Sequence, residues 1–142
     1  MKKLRAITTV FAMFVVFSFA NAQAVFEAAK TQATKENKKV LLYFSGSDWC
    51  APCMKFKKTF IQNENFKSFA DKNLVLLNAD FPRKKDNRLS KELTEQNEQL
   101  AGKYNPQGAF PMILLLDSTG KVLKKWDGCP DGTVEEFIKA LN

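Results

Sequence analysis

The sequence predicts an α/β protein in which helices cover a mixed sheet, parallel in its first part and antiparallel at its end. Three observations predict this. Uniformly apolar runs of strand length stand at Val40–Phe44, Leu74–Leu77 and Met112–Leu116. Stretches with helical spacing separate them. Ser118-Thr119-Gly120 then makes a hairpin turn from the third run into a fourth strand, Val122–Trp126.

The elements follow in order. Val25–Asn37 reads as an amphipathic helix with Val25, Phe26, Ala29 and Ala33 on one side. Val40–Phe44 is the central strand, buried on both faces, and Cys53, Phe56, Phe60 and Ile61 then repeat at helical spacing. Asn65–Lys72 is a further helical piece with Phe66, Phe69 and Ala70 inward, and Leu74–Leu77 is a second buried strand. Phe81–Arg88 is a polar, charged connection into a hydrophilic helix, Leu89–Tyr104, whose inward positions are Leu89, Leu93, Leu100 and Ala101. Asn105–Pro111 is a turn-rich loop before the third strand. Thr133–Leu141 closes the chain as a helix with Val134, Phe137, Ile138 and Leu141 inward.

With 142 residues, 45% hydrophobic and 26% charged, the chain makes one globular domain with enough core to fold without disulfide scaffolding. The first 22 residues are set apart. Lys2, Lys3 and Arg5 precede an apolar stretch, Ile7–Ala20, and the Ala-x-Ala pattern at Ala20–Ala22 marks a cleavage point, so residues 1–22 read as a signal peptide and 23–142 as the domain. An uncleaved anchor is the alternative, but the stretch is short of the roughly 20 residues a span needs. Cleavage leaves no stable membrane insertion. It also lowers the formal charge from +7 to +4, with acids scattered among the lysines. That is a solvated basic surface rather than the basic stripe of a nucleic-acid protein.

The chain has no histidine and three cysteines, Cys50, Cys53 and Cys129. Catalysis by Ser-His-Asp or Cys-His groups and His-ligated zinc are excluded. The Cys50/Cys53 pair admits three readings. As a staple it closes a four-residue loop, worth only about 2 kcal/mol by chain entropy. As a metal site it lacks ligands: one knuckle and Cys129 fall short of the usual four, and no metal is assigned. The third reading is a reactive pair at a strand-to-helix junction. Backbone N–H groups at the helix start favour a Cys50 thiolate, and a pKa near 7 needs only about 2 kcal/mol. Pro52 fits the first turn, where its missing N–H costs nothing. On this reading Cys50 lies at the mouth beside Trp49 as nucleophile, and Cys53 waits on the inward face as the resolving thiol.

"SDWCAPC" resembles the W-C-x-P-C active site of the thioredoxin superfamily. The likeness continues through "VLLNAD", "GAFPMILLLD" and "WDGCPDGTVEEFIKAL", nearly the whole mature chain. It is especially similar to secreted thioredoxin-like proteins and to the thioredoxin-like domain of membrane disulfide-interchange reductases. The resemblance implies a three-layer α/β/α sandwich, a cis Pro111 facing the cysteine pair, and substrate handling by Trp49, Pro52, Phe110 and Pro111. It also places Cys129 in the loop after the last strand, as a secondary thiol near Cys50 or as a half-buried cysteine without chemistry. The chain departs from the family at two positions: Phe44 and Leu76 stand where a buried carboxylate and its lysine partner are usual. The proton acceptor for Cys53 is then left open between Asp48 and water.

The resulting expectation is an exported thiol–disulfide oxidoreductase of a bacterial periplasm or envelope, acting on client protein thiols and disulfides. Its direction is reductive, and no bound cofactor is needed beyond the Cys50/Cys53 pair. A membrane disulfide reductase is the expected electron partner. The alternatives are a thioredoxin-fold binding module with structural cysteines, and metal carriage through Cys50, Cys53 and Cys129.

Overall fold

Strand β1 (Lys39–Ser45) carries apolar side chains on both faces, and a strand of that kind belongs in the middle of a sheet. The computed structural model, which describes residues 23–142, puts it there. The expected signal peptide, residues 1–22, lies outside the described residues. The order is α1 (Ala24–Glu36), β1, α2 (Ala51–Phe56) continuing into a π turn (Lys57–Ile61), α3 (Glu64–Asn73), β2 (Leu74–Asp80), α4 (Lys91–Tyr104), β3 (Met112–Leu116), β4 (Val122–Asp127) and α5 (Val134–Leu141). The sheet runs β2-β1-β3-β4: β1 is parallel to β2, and β3 is antiparallel to both β1 and β4. This is the mixed sheet that the sequence predicts.

Alternation along β1 divides the core into two layers. Val40, Leu42 and Phe44 face α1 and α4, packing with Phe26, Ala33 and Leu100. Leu41 faces α2, α3 and α5, packing with Phe56, Phe60, Phe66 and Phe137. Phe137 is the hub of that second layer. Its ring lies 5.0 Å from Phe60, 5.3 Å from Trp126, 5.9 Å from Phe66 and 6.0 Å from Phe56. The result is helices on both faces of one sheet, the expected α/β/α sandwich.

Four expectations need correction. β2 is not buried on both faces: it is an edge strand that runs on to Asp80, and Leu76 is 41% exposed. Val25 is exposed, while Phe26, Ala29 and Ala33 hold the inner face of α1. Leu89 precedes its helix, because Ser90 caps α4 by accepting the Leu93 N–H. Leu93 is only half-buried, and the inward face of α4 is instead Gln96, Asn97 and Leu100. Asn97 is used structurally, donating to the Asp80 carbonyl at 2.9 Å.

The connection from β2 to α4 folds back over the turn that follows β1. Asp48 Oδ1 accepts the Arg83 N–H at 2.9 Å, and Oδ2 accepts the Lys84 N–H at 2.9 Å and the Asn87 side-chain amide at 3.0 Å. These donors, the Arg83 amide first, hold the Asp48 carboxyl below the usual carboxylate range. A lowered pKa means the clamp is fully present above the ordinary carboxylate value and is lost as pH falls through the folded one.

Two outcomes follow. Phe137→Ala leaves a cavity among four rings and lowers unfolding free energy by about 3–5 kcal/mol in denaturant titration. Asp48→Ala accelerates amide exchange at Arg83 and Lys84 relative to wild type. Acidifying the wild-type protein below the carboxylate range produces the same loss of protection.

Candidate active site

The site is assembled where β1 ends. The Gly46 carbonyl accepts the N–H of Trp49 at 3.2 Å and of Cys50 at 2.9 Å, which turns the chain into α2. A side chain at Gly46 would collide with the Trp49 indole, its Cβ falling 2.2 Å from the ring, so only glycine lets that ring lie down here. Cys50 is the N-cap residue, with extended backbone, and Pro52 occupies the first turn. The Cys50 sulfur accepts the Cys53 N–H at 3.3 Å, one of the donors a helix start leaves unpaired.

Cys50 and Cys53 form a disulfide with an S–S length of 2.06 Å. Both residues are 4% exposed. The expectation that Cys50 lies open at the mouth is therefore not met in this oxidised form. Its sulfur turns back over the first helical turn, bonded to Cys53 and hydrogen-bonded to the Cys53 amide, and this withdraws it from solvent.

Trp49 is tied to two other segments. Its Nε1 donates to the Phe81 carbonyl at 2.7 Å, and its ring meets Phe110 edge-on at 5.3 Å. Phe110 also meets Phe81 at 5.6 Å. The Phe110–Pro111 peptide bond is cis. Pro111 is buried, and its carbonyl accepts the N–H of Gly128, which has φ 100° in the loop after β4. Trp49, Phe110 and Pro111 are thus gathered at one end of the sheet with the cysteine pair, while Pro52 is exposed on the helix.

Cys129 follows Gly128, whose N–H meets the Pro111 carbonyl. It is a free, half-buried thiol packed beside the second core layer. Burial pushes its pKa up, nearby Asp131 adds to that, and Lys55 of α2 opposes it. Among the described residues, no three His, Cys, Asp or Glu side chains gather with metal-ligand spacing.

Two features escaped the sequence reading. The first is Arg83, whose guanidinium carbon lies 3.8 Å from the Trp49 ring centroid, a cation–π contact worth about 0.5–1 kcal/mol at an exposed position. The only signal was a charged connection. The second is a polar group beneath Cys53. A cavity of about 50 Å³ is lined by Cys53, Tyr43, Ser45, Ser47, Lys57 and Asn78. Ser45 Oγ lies 2.8 Å from Asn78 Oδ1 and 2.9 Å from Asp80 Oδ1, and Ser47 Oγ donates to Asp80 Oδ2 at 2.6 Å. Burial raises the Tyr43 pKa, with a further push from the Asp80 charge. Asp48, one of the two candidate proton acceptors, is committed to the 81–88 connection instead.

A thioredoxin-like family model matches residues 21–118. The chain is 34% identical over 104 residues to the disulfide bond reductase DsbH of Chlamydia pneumoniae, covering 73% of this chain and 61% of that protein. The match therefore spans less than two thirds of the relative's length. A solved DsbH oxidoreductase is 32% identical with a TM-score of 0.69, covering 80% of this chain and 78% of its own. The C-terminal domain of DsbD from Neisseria meningitidis, solved oxidised, shares the fold at 19% identity, with a TM-score of 0.55 and coverage of 82% and 90%. With the Cys50–Cys53 junction, the cis Pro111 and the mixed sheet all in their expected places, the chain belongs to the thioredoxin-like family.

Proposed function

We propose that the chain is an exported protein thiol–disulfide oxidoreductase of a bacterial envelope, working in the reductive direction on client disulfides. The observation that carries this reading is the Cys50–Cys53 pair at a helix start, flanked by Trp49, Phe110 and cis Pro111. The 34%-identical relative, a disulfide bond reductase, supports the same chemistry and direction. Residues 1–22, read as a signal peptide, support export. No helix among the described residues is long and apolar enough to cross a membrane.

The reaction starts from the reduced pair. The Cys50 thiolate attacks one sulfur of a client disulfide, and the other client sulfur leaves as a thiolate. Cys53 then loses its proton and attacks the Cys50 sulfur, releasing the second client thiolate and closing the Cys50–Cys53 bond. Two electrons have passed to the client. A dithiol donor, for which we assign a membrane disulfide reductase, returns the pair to its starting state.

The Cys53 amide at the helix start, which reaches the Cys50 sulfur, stabilises its anion. The Cys53 proton passes into the cavity beside it, along the Ser45 and Ser47 hydroxyls. At about 50 Å³ the cavity has room for water, at roughly 10–15 Å³ each, and Ser45 and Ser47 connect it to the Asp80 carboxylate. Asp80 thereby takes the role that a carboxylate at position 44 has elsewhere in the superfamily. Trp49, Pro52, Phe110 and Pro111 form the platform against which the client chain lies. Cys129, with its pKa raised by burial, remains a protonated bystander in this scheme.

A binding module with structural cysteines is the second reading, and the 4% exposure of both cysteines is the observation in its favour. Insulin reduction separates the two. The wild-type protein accelerates it, and Cys50→Ser returns the rate to background; equal rates in both proteins favour the module. Cys53→Ser holds the client on Cys50, seen as an adduct by non-reducing mass spectrometry. For direction, the pair equilibrates with thiol buffers nearer about −270 mV than about −120 mV, the reducing and oxidising ends of the superfamily range.

A further inference from the structure

The connection between β2 and α4 has no place in the chemistry above. It reads Phe81-Pro82-Arg83-Lys84-Lys85-Asp86-Asn87-Arg88, four cations against one anion, and every residue from Arg83 to Arg88 is exposed. The ion pairs among the described residues use other lysines, and Arg83, Lys84, Lys85 and Arg88 enter none of them. Unpaired surface charge is common, and on a loose loop it would carry no inference. This segment is fixed, and fixed beside the redox pair.

Asp48 pins it from below through the Arg83 and Lys84 amides and the Asn87 side chain. The Phe81 carbonyl holds the Trp49 indole, and the Arg83 guanidinium carbon lies 3.8 Å from the centroid of the same ring, one residue before Cys50. The Arg83 guanidinium enters no ion pair among the described residues, so its N–H fork is available to bind a carboxylate with two hydrogen bonds. Lys55 of α2 and Lys57 of the π turn that continues it are also exposed, and Lys57 lines the cavity beside Cys53. The acids that face this surface are accounted for. Asp48 is consumed beneath the segment, Asp80 is held by Ser45 and Ser47, Asp86 stands within the segment, Glu98 shares a pocket with Arg88, and Asp131 lies by Cys129.

We propose that the Arg83–Arg88 segment is a docking surface that selects client polypeptides carrying acidic residues beside their disulfide. The inference rests on the oxidoreductase reading of the Cys50/Cys53 pair. The partner is a polypeptide because its disulfide must reach Cys50 while its flank meets the segment. A backbone already held in place binds without a large ordering cost, and a positive rim steers an acidic flank toward the nucleophile before contact.

The test uses the full chain, reduced beforehand, and three disulfide-bonded peptides with one common core and flanks of aspartate, serine or lysine. At low salt the acidic peptide is reduced at least about tenfold faster than the neutral one, and the basic peptide more slowly. Molar salt, which shortens the screening length to about 3 Å, removes most of that advantage. Lys84→Glu combined with Lys85→Glu brings the acidic-to-neutral ratio to one or below. Lys35→Glu with Lys139→Glu makes the same charge change at the opposite end of the sheet, where Lys39 meets the carbonyls of Leu141 and Asn142, and it leaves the ratio intact.

Equal rates on acidic and neutral peptides overturn the proposal. So does a preference that the remote pair abolishes as fully as the segment pair, because net charge then explains it. If the segment variant does not fold, the salt series on wild type decides: a salt-independent preference overturns the proposal. Failure to reduce even the neutral peptide sinks the oxidoreductase reading and this inference with it, so the neutral rate tells the two failures apart.

Discussion

The functional end of the molecule depends on the turn between Gly46 and Cys50. One carbonyl, that of Gly46, receives two successive amides and swings the chain from the central strand into α2. The missing side chain at that same glycine is what admits the Trp49 ring. Once seated, the ring becomes the meeting point of three segments otherwise far apart in sequence: the Phe81 carbonyl and Arg83 from one connection, Phe110 from another, and Cys50 next in the chain. A substituent at Gly46 would displace the indole, and all of these contacts would go with it. Local geometry at one residue therefore fixes both the redox pair and its surroundings.

The same economy explains which parts of the fold were legible in the sequence. β1 and β3 are interior strands, and their continuous apolar runs report that directly. β2 carries a similar run, Leu74–Leu77, yet lies at the edge, where Leu76 is left exposed between buried Val75 and Leu77. Four apolar residues in a row do not distinguish a strand with two neighbours from a strand with one. The inward face of α4 was hidden for the opposite reason. Gln96 and Asn97 are buried polar residues, and a hydrophobic period cannot register them. Asn97 faces inward because the Asp80 carbonyl at the end of β2 needs a donor.

At the site, chemistry declared itself by residue type and spacing, whereas contacts between distant segments did not. Cys50, Pro52 and Cys53 sit in one short stretch that a helix start organises by itself. The cis bond at Pro111 came through resemblance, since X-Pro sequence alone favours trans. Asp48 and Asp80 show the limit. Each was visible as a carboxylate, but what each binds is set by a segment dozens of residues away. Asp48 lies close to Cys50 in the chain, which made it an attractive proton acceptor, yet its oxygens point to the amides of Arg83 and Lys84. Asp80 was given no role, lying past the expected strand Leu74–Leu77, although β1–β2 pairing sets it opposite Ser45.

The position of Asp48 raises an electrostatic problem that the 81–88 connection resolves. A carboxylate two residues before a nucleophilic cysteine would by itself disfavour the thiolate, because like charges close together raise a pKa. Here that charge is met by three N–H donors, and the segment supplying them carries four cations. The cations of the segment therefore offset the charge of the acid that holds it. Asp48 fixes the connection, the connection neutralises Asp48, and its surplus positive charge faces solvent beside the redox pair. Removing the acid would not simply leave a more positive site. It would free the connection that holds Trp49 and carries the cations, and the local field would lose its fixed geometry.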